Sequence, residues 1–119
     1  MSRTESALQV VPSRIEGRAG PAMRLVPVEG DNMISTLFPG DAVGALPVDA
    51  FSYDGFYALD VFGTPTVFRC RCDHRGGIDL VSDNAVYPVH KVSRAAFAES
   101  VIGQVAVFCQ VVDRSLLRI

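Results

Sequence analysis

The sequence predicts a mostly-β domain with one or two short helical turns, on three observations. Short apolar runs rich in Val, Phe, Tyr and Ile recur from residue 23 onward, turn residues separate them, and no stretch holds a helical period long enough for an ordinary helix. The runs are Met23 to Glu29, Asp41 to Leu46, Gly55 to Val61, Thr66 to Cys72, Gly76 to Val81 and Val101 to Val112, with turn signals at Pro39-Gly40, Gly63, Gly76-Gly77 and Asp83-Asn84. One helical turn is expected after Asp31, around Asn32 to Thr36. A second is expected at Ser93 to Ala98, where the Ser93 hydroxyl can cap a turn that enters Ala95 and Ala96. Neither can serve as a recognition helix, and no stretch has room for a helix-turn-helix.

With 119 residues the chain is sized for one core, and 49% hydrophobic against 20% charged residues is enough apolar side chain to build it. Residues 1 to 22, rich in Ser, Gly and Pro without period, read as a flexible arm or linker, which leaves 23 to 119 for the domain. Within the arm, Ile15-Glu16-Gly17-Arg18 spells the recognition sequence of a tag-removal protease, either a cloning remnant or a coincidence. The net charge of −2 supplies no field to hold a polyanion. No apolar run approaches the roughly 18 residues of a membrane span and no signal-peptide stretch opens the chain, so a cytoplasmic protein without membrane contact is expected. Cys70, Cys72 and Cys109 are odd in number and lack Cys-x-x-Cys spacing, which reads as reduced core thiols.

Four short motifs stand in order along the chain. Gly30-Asp31-Asn32-Met33-Ile34-Ser35-Thr36-Leu37-Phe38-Pro39-Gly40-Asp41 resembles the G-D-S-M-x-P-T-L-x-x-G-D signature of the LexA-like family, the C-terminal domains of LexA, phage CI-type repressors and UmuD. Asp54-Gly55-Phe56-Tyr57-Ala58-Leu59 is similar to that family's D-G-x-Y-x-L strand. Ser82-Asp83-Asn84-Ala85-Val86-Tyr87-Pro88 is similar to its S-D-N-x-x-Y-P turn, and Val101-Ile102-Gly103-Gln104-Val105 to its closing I-x-G-R-V strand. Four motifs in order are far more specific than any one. The resemblance implies a fold of small, highly bent antiparallel sheets.

In that family a serine after Gly-Asp attacks the chain's own backbone, and a lysine in a V-K-R context takes its proton. A tight turn at the end of a strand exposes the nucleophile, and desolvation lowers the lysine pKa enough for it to act as base. Here the two positions are Asn32 and, in Thr66-Val67-Phe68-Arg69, Phe68. A carboxamide is no alkoxide precursor and a phenyl ring accepts no proton, so no catalytic residues are expected: the domain reads as a pseudo-protease without the Ser-Lys dyad. A displaced dyad of Ser35 with Lys91, the only lysine, has nothing in the sequence to bring it together. Ala19-Gly20 has the look of the family's cleavage site but sits too close to the first strand, and reads as linker.

Other constellations carry less. Cys70-x-Cys72-x-His74 puts three donors on one strand face, but i, i+2 ligands on an extended strand do not close a tetrahedron alone, so no metal or other cofactor is expected. Arg69, Arg71 and Arg75 read as a solvated face beside Asp73 and Asp79. His74 and His90 with Ser82 and Asp83 make no triad on sequence grounds. The last run is apolar on both sides, Val105, Val107, Cys109 and Val111 alternating with Ile102, Ala106, Phe108 and Val112. Such a strand must be covered by its own sheet or pair with another chain, and Val105, Val107, Cys109 and Val111 are the expected interface. The resemblance implies two-fold dimers as well.

Together these readings give the oligomerisation and regulatory domain of a phage- or prophage-type transcriptional repressor that does not cleave itself. Its partners are a second copy of itself, DNA only through a helix-turn-helix domain absent from this chain, and an antirepressor protein as inducer. The alternative is a stand-alone interaction protein similar to UmuD.

Overall fold

A computed structural model describes residues 22 to 116. Seven strands, β1 (Arg24–Pro27), β2 (Ala42–Leu46), β3 (Gly55–Val61), β4 (Thr64–Cys72), β5 (Ile78–Val81), β6 (His90–Val92) and β7 (Val101–Cys109), are joined by one helix, α1 (Arg94–Ser100), and a closing 3-10 turn at Arg114–Leu116. The mostly-β expectation holds. The ladders are all antiparallel and join into one sheet in the order β1-β2-β7-β3-β4-β5-β6, with register shifts between Gly44 and Ala45 and between Ala58 and Leu59. Such irregularities bend a sheet by breaking the even spacing of its ladder.

Side-chain alternation divides the interior into two cores. Ala58 of β3 and Val67 of β4, paired in register, face one side with Val26, Val28, Met33, Leu37, Val43 and Ala45. Tyr57 and Phe68, the next pair along, face the other side with Leu59, Cys70, Ile78, Leu80 and Phe97. The first core is closed by the turn that follows β1, since Met33 and Leu37 are its plug. The second is closed by α1, where the ring of Phe97 stands edge-on to Tyr57 at 5.1 Å and to Phe51 at 5.6 Å. Ser93 caps α1 as expected, its Oγ accepting from the Ala96 N–H at 3.0 Å. Tyr57 is fully buried because the loop before β3 satisfies its hydroxyl, which donates to Tyr53 O at 2.8 Å.

The β3–β4 hairpin turns on two residues, Phe62 at φ 50° and Gly63 at φ 86°, a backbone hand that matches the strand twist. Asp60 Oδ1 accepts from the Gly63 N–H at 2.7 Å and holds it. The Ala106 position corrects the expected alternation of the last strand. Val105 pairs with Ala45 and Val107 with Gly44, consecutive residues on β2, so Ala106 is the extra residue of a bulge. Val105 therefore packs on the first core while Val107 turns to the outer face, and the four residues expected on one side are split. β7 also changes partners. It pairs with β3 through Gln104 and with β2 from Gln104 onward, so its second half has one edge without a strand among the described residues.

Two further expectations need correction. Cys72 is exposed at the end of β4, beyond the point where β3 begins opposite Cys70, with Arg94 Nη2 3.3 Å from its sulfur; Cys70 is buried and Cys109 half-buried, and all three are free thiols. β6 was not expected at all, since three residues carry no period. Residues 1 to 21 of the expected arm lie outside the described residues.

Candidate functional site

The turn after β1 and the turn after β5 meet over the free half of β4, and the residues of two sequence motifs make the joint. The Asn84 N–H donates to Asn32 O at 2.9 Å and Asn84 Nδ2 to Asp31 O at 3.0 Å. Tyr87 donates its hydroxyl proton to Asp31 Oδ1, and Thr36 donates to Asp83. Arg69 closes the joint with a two-pronged ion pair to Asp83, Nε and Nη2 each at 2.9 Å, while its guanidinium lies 4.4 Å from the Phe56 ring centroid. Arg69 holds the Asp83 carboxyl below the ordinary carboxylate range, with Thr36 adding to the effect. The bond to Asp31 raises the Tyr87 phenol above its usual value.

The joint borders an open cavity of about 260 Å³ lined by Gly30, Asp31, Asn32, Thr66, Phe68, Ser82, Tyr87 and His90. Asn32 and Phe68, 36 positions apart in the chain, are thus walls of one space. The Asn32 side chain is 9% exposed, and its Nδ2 donates to Val67 O at 2.8 Å and to Ser82 Oγ at 3.2 Å. The carbonyl at Val67 can only accept, which fixes the orientation of the carboxamide. Phe68 is 6% exposed and belongs to the second core. A group at position 68 therefore sits where water is scarce, the condition under which an amine would lose its proton.

The remaining sequence candidates lie elsewhere. Lys91 is bonded through Nζ to Asp79 at 2.8 Å and lines a separate recess with Asp73, His74 and Arg75, while Ser35 is exposed in the turn. Neither borders the cavity. Asp79 also accepts from Arg71 Nε at 3.2 Å, and Lys91 before Arg71 keeps its carboxyl acidic. Asp73 holds the β4–β5 turn by accepting the N–H of Arg75 and Gly77. The basic strand face is thereby matched by acids, as expected. Among the described residues no group of His, Cys, Asp or Glu is arranged to hold a metal ion, and no helix is long and apolar enough to cross a membrane.

Ser82, Tyr87 and His90 were not singled out from the sequence as parts of one site. The S-D-N-x-x-Y-P motif was the available signal, because a second motif joined to the first by hydrogen bonds must lie beside it. A comparison with curated proteins finds no match. A family model described as Peptidase S24-like, the family of the LexA, UmuD and CI-type C-terminal domains, matches residues 2–106, which takes in all four motifs. By that match, and by the motifs that build its site, the chain belongs to the Peptidase S24-like family.

Proposed function

We propose that the chain is the oligomerisation and regulatory domain of a phage- or prophage-type transcriptional repressor that does not cleave itself, working in the cytoplasm. The observation that carries this reading is what lines the cavity at the turn joint. The nucleophile position holds a carboxamide committed to Val67 and Ser82, and the base position holds a buried phenyl ring. Acyl transfer needs an oxygen that can be deprotonated and a group that removes the proton, and neither side chain supplies either. With cleavage removed, what remains is assembly.

Two copies paired through this domain would hold two DNA-binding domains together, so that occupying one half-site raises the effective concentration at the other. The DNA-reading element is a helix-turn-helix domain outside these residues, and inactivation falls to an antirepressor protein rather than to self-cleavage. The contact surface is the outer face of the last strand and its neighbours. Leu25, Gly44 and Val107 stand side by side across β1, β2 and β7, Met23 lies against Gly44, and the side chains of Met23, Leu25 and Val107 are 50%, 39% and 42% exposed. Cys109 and Val111 continue toward the chain end, whereas Val105 supports the face from the core.

Sedimentation across a concentration series, with Val107→Asp alongside, tests the reading. The expected result is a dimer or larger oligomer that the variant dissociates, and a chain that stays intact through prolonged alkaline incubation. A monomer at every concentration, or a cleaved chain, would overturn it.

A further inference from the structure

We propose that the cavity beside Asn32 is a binding site for a primary carboxamide group. Counting donors and acceptors leads there. Asn32 spends both Nδ2 hydrogens, on Val67 O and on Ser82 Oγ, while its Oδ1 accepts nothing among the described residues. The Ser82 hydroxyl accepts from Asn32, and its own proton likewise has no acceptor among the described residues. Both residues are about nine-tenths buried, at 9% and 8% exposure, and both line the cavity. A buried acceptor and a buried donor on adjoining groups each cost free energy until they are met.

The wall next to Oδ1 is Gly30, and a Cβ built there would lie in contact with that oxygen at 3.5 Å, on ground that glycine leaves free for a ligand. The group that satisfies both partners offers an N–H to Asn32 Oδ1 and a C=O to the Ser82 hydroxyl from the same edge. A primary carboxamide does so. A trans peptide group does not, because its N–H and C=O point to opposite sides. Phe68 supplies an apolar floor, and Tyr87 and His90 stand at the exposed rim. About 260 Å³ is just below the usual span of small-molecule sites, roughly 300 to 1,000 Å³, which suits one ring with its amide.

The test is a titration of the full chain with benzamide, followed by two-dimensional amide NMR, with benzoate and acetophenone as isosteres. Benzamide is expected to move the Asn32 side-chain NH₂ and the Ser82 and Phe68 signals saturably. Acetophenone, which lacks the donor, and benzoate, which sets a carboxylate against Asn32 Oδ1, should bind more weakly by on the order of tenfold. Gly30→Ala should keep the fold, since its Cβ meets only ordinary contact, and weaken benzamide by a similar factor. A glutamine carried as its N-acetyl, N-methylamide derivative is the second ligand. Binding of either ligand supports the site, and the tighter of the two assigns the source as a free aromatic amide or a polypeptide side chain. Equal binding of acetophenone or benzoate, shifts confined to residues outside the cavity, no saturable shift at the solubility limit, or a Gly30→Ala variant that binds undiminished would each overturn the proposal.

Discussion

Replacing Asn32 separates what this side chain does for the fold from what a serine would do for chemistry. Val67 is 3% exposed, and its carbonyl is directed away from β3 at a point where β5 has not yet begun, since the β4–β5 ladder starts at Arg69. Asn32 Nδ2 is its described partner, at 2.8 Å. Asn32→Ser shortens the side chain and strands that carbonyl, and an unmet buried acceptor costs about 1–3 kcal/mol. Asn32→Asp is the sharper probe, because it sets a carboxylate against the same carbonyl oxygen. The acid form is then favoured in the folded state, so its folded pKa lies above the unfolded value. The folded state binds the proton first, and stability falls as pH rises through that window, leaving the larger deficit at neutral pH. Urea denaturation with the slope held common reports both costs as shifts in midpoint, and repeating it at mildly acidic pH should recover part of the Asn32→Asp loss. The Asn32→Ser chain should also remain uncut on alkaline incubation, because Phe68 provides no base. Wild-type stability for Asn32→Asp at neutral pH, or self-cleavage of Asn32→Ser, would refute the reasoning.

Three other outcomes are expected. Asp83 titrates below the ordinary carboxylate range in the folded state, chiefly through Arg69, so it contributes stability above the unfolded pKa that is lost as pH falls; Asp83→Asn should flatten the acid limb of the stability profile in a denaturation series. Burial pushes the Cys70 thiol up to about 12, so a thiol reagent near neutral pH should label exposed Cys72 in the native protein and reach Cys70 only on unfolding, which peptide mapping would report. Phe97→Ala removes the ring that α1 buries between Phe51 and Tyr57 and should cost about 3–5 kcal/mol by chemical denaturation; a smaller loss would mean that α1 is not what closes the second core.

Strands that form short apolar runs between turn residues are readable from the sequence. Gly55 to Val61 is such a run, buried on both faces, and Ser93 marks the start of α1 because a hydroxyl before Arg94 and two alanines has one obvious use. Three features were not readable, each for a physical reason. His90 to Val92 is a strand only because β5 lies beside it, and three residues hold no period of their own. The bulge at Ala106 is set by the register against β2, and one extra residue inverts every side chain after it, so alternation counted along the sequence put Val105 and Val107 on one face. The cavity needed both turns at once: Asn32 and Phe68 were visible as departures from a motif, but Ser82, Tyr87 and His90 joined them only when the second turn closed over β4.

The same joint shows what the motif residues do for the fold. Asp31, Thr36, Asp83, Asn84 and Tyr87 are motif residues, and each bonds one turn to the other through its side chain. Met33 and Leu37 plug the first core, and Tyr57 anchors the loop before β3. None of these roles requires a nucleophile or a base. The scaffold is thus carried by many positions, and under the proposed function the two that bear on cleavage are Asn32 and Phe68. The family match spans all of these fold-building residues. Asn32 is held by hydrogen bonds to Val67 and Ser82, and Phe68 by the second core, which gives each a structural role independent of any reaction.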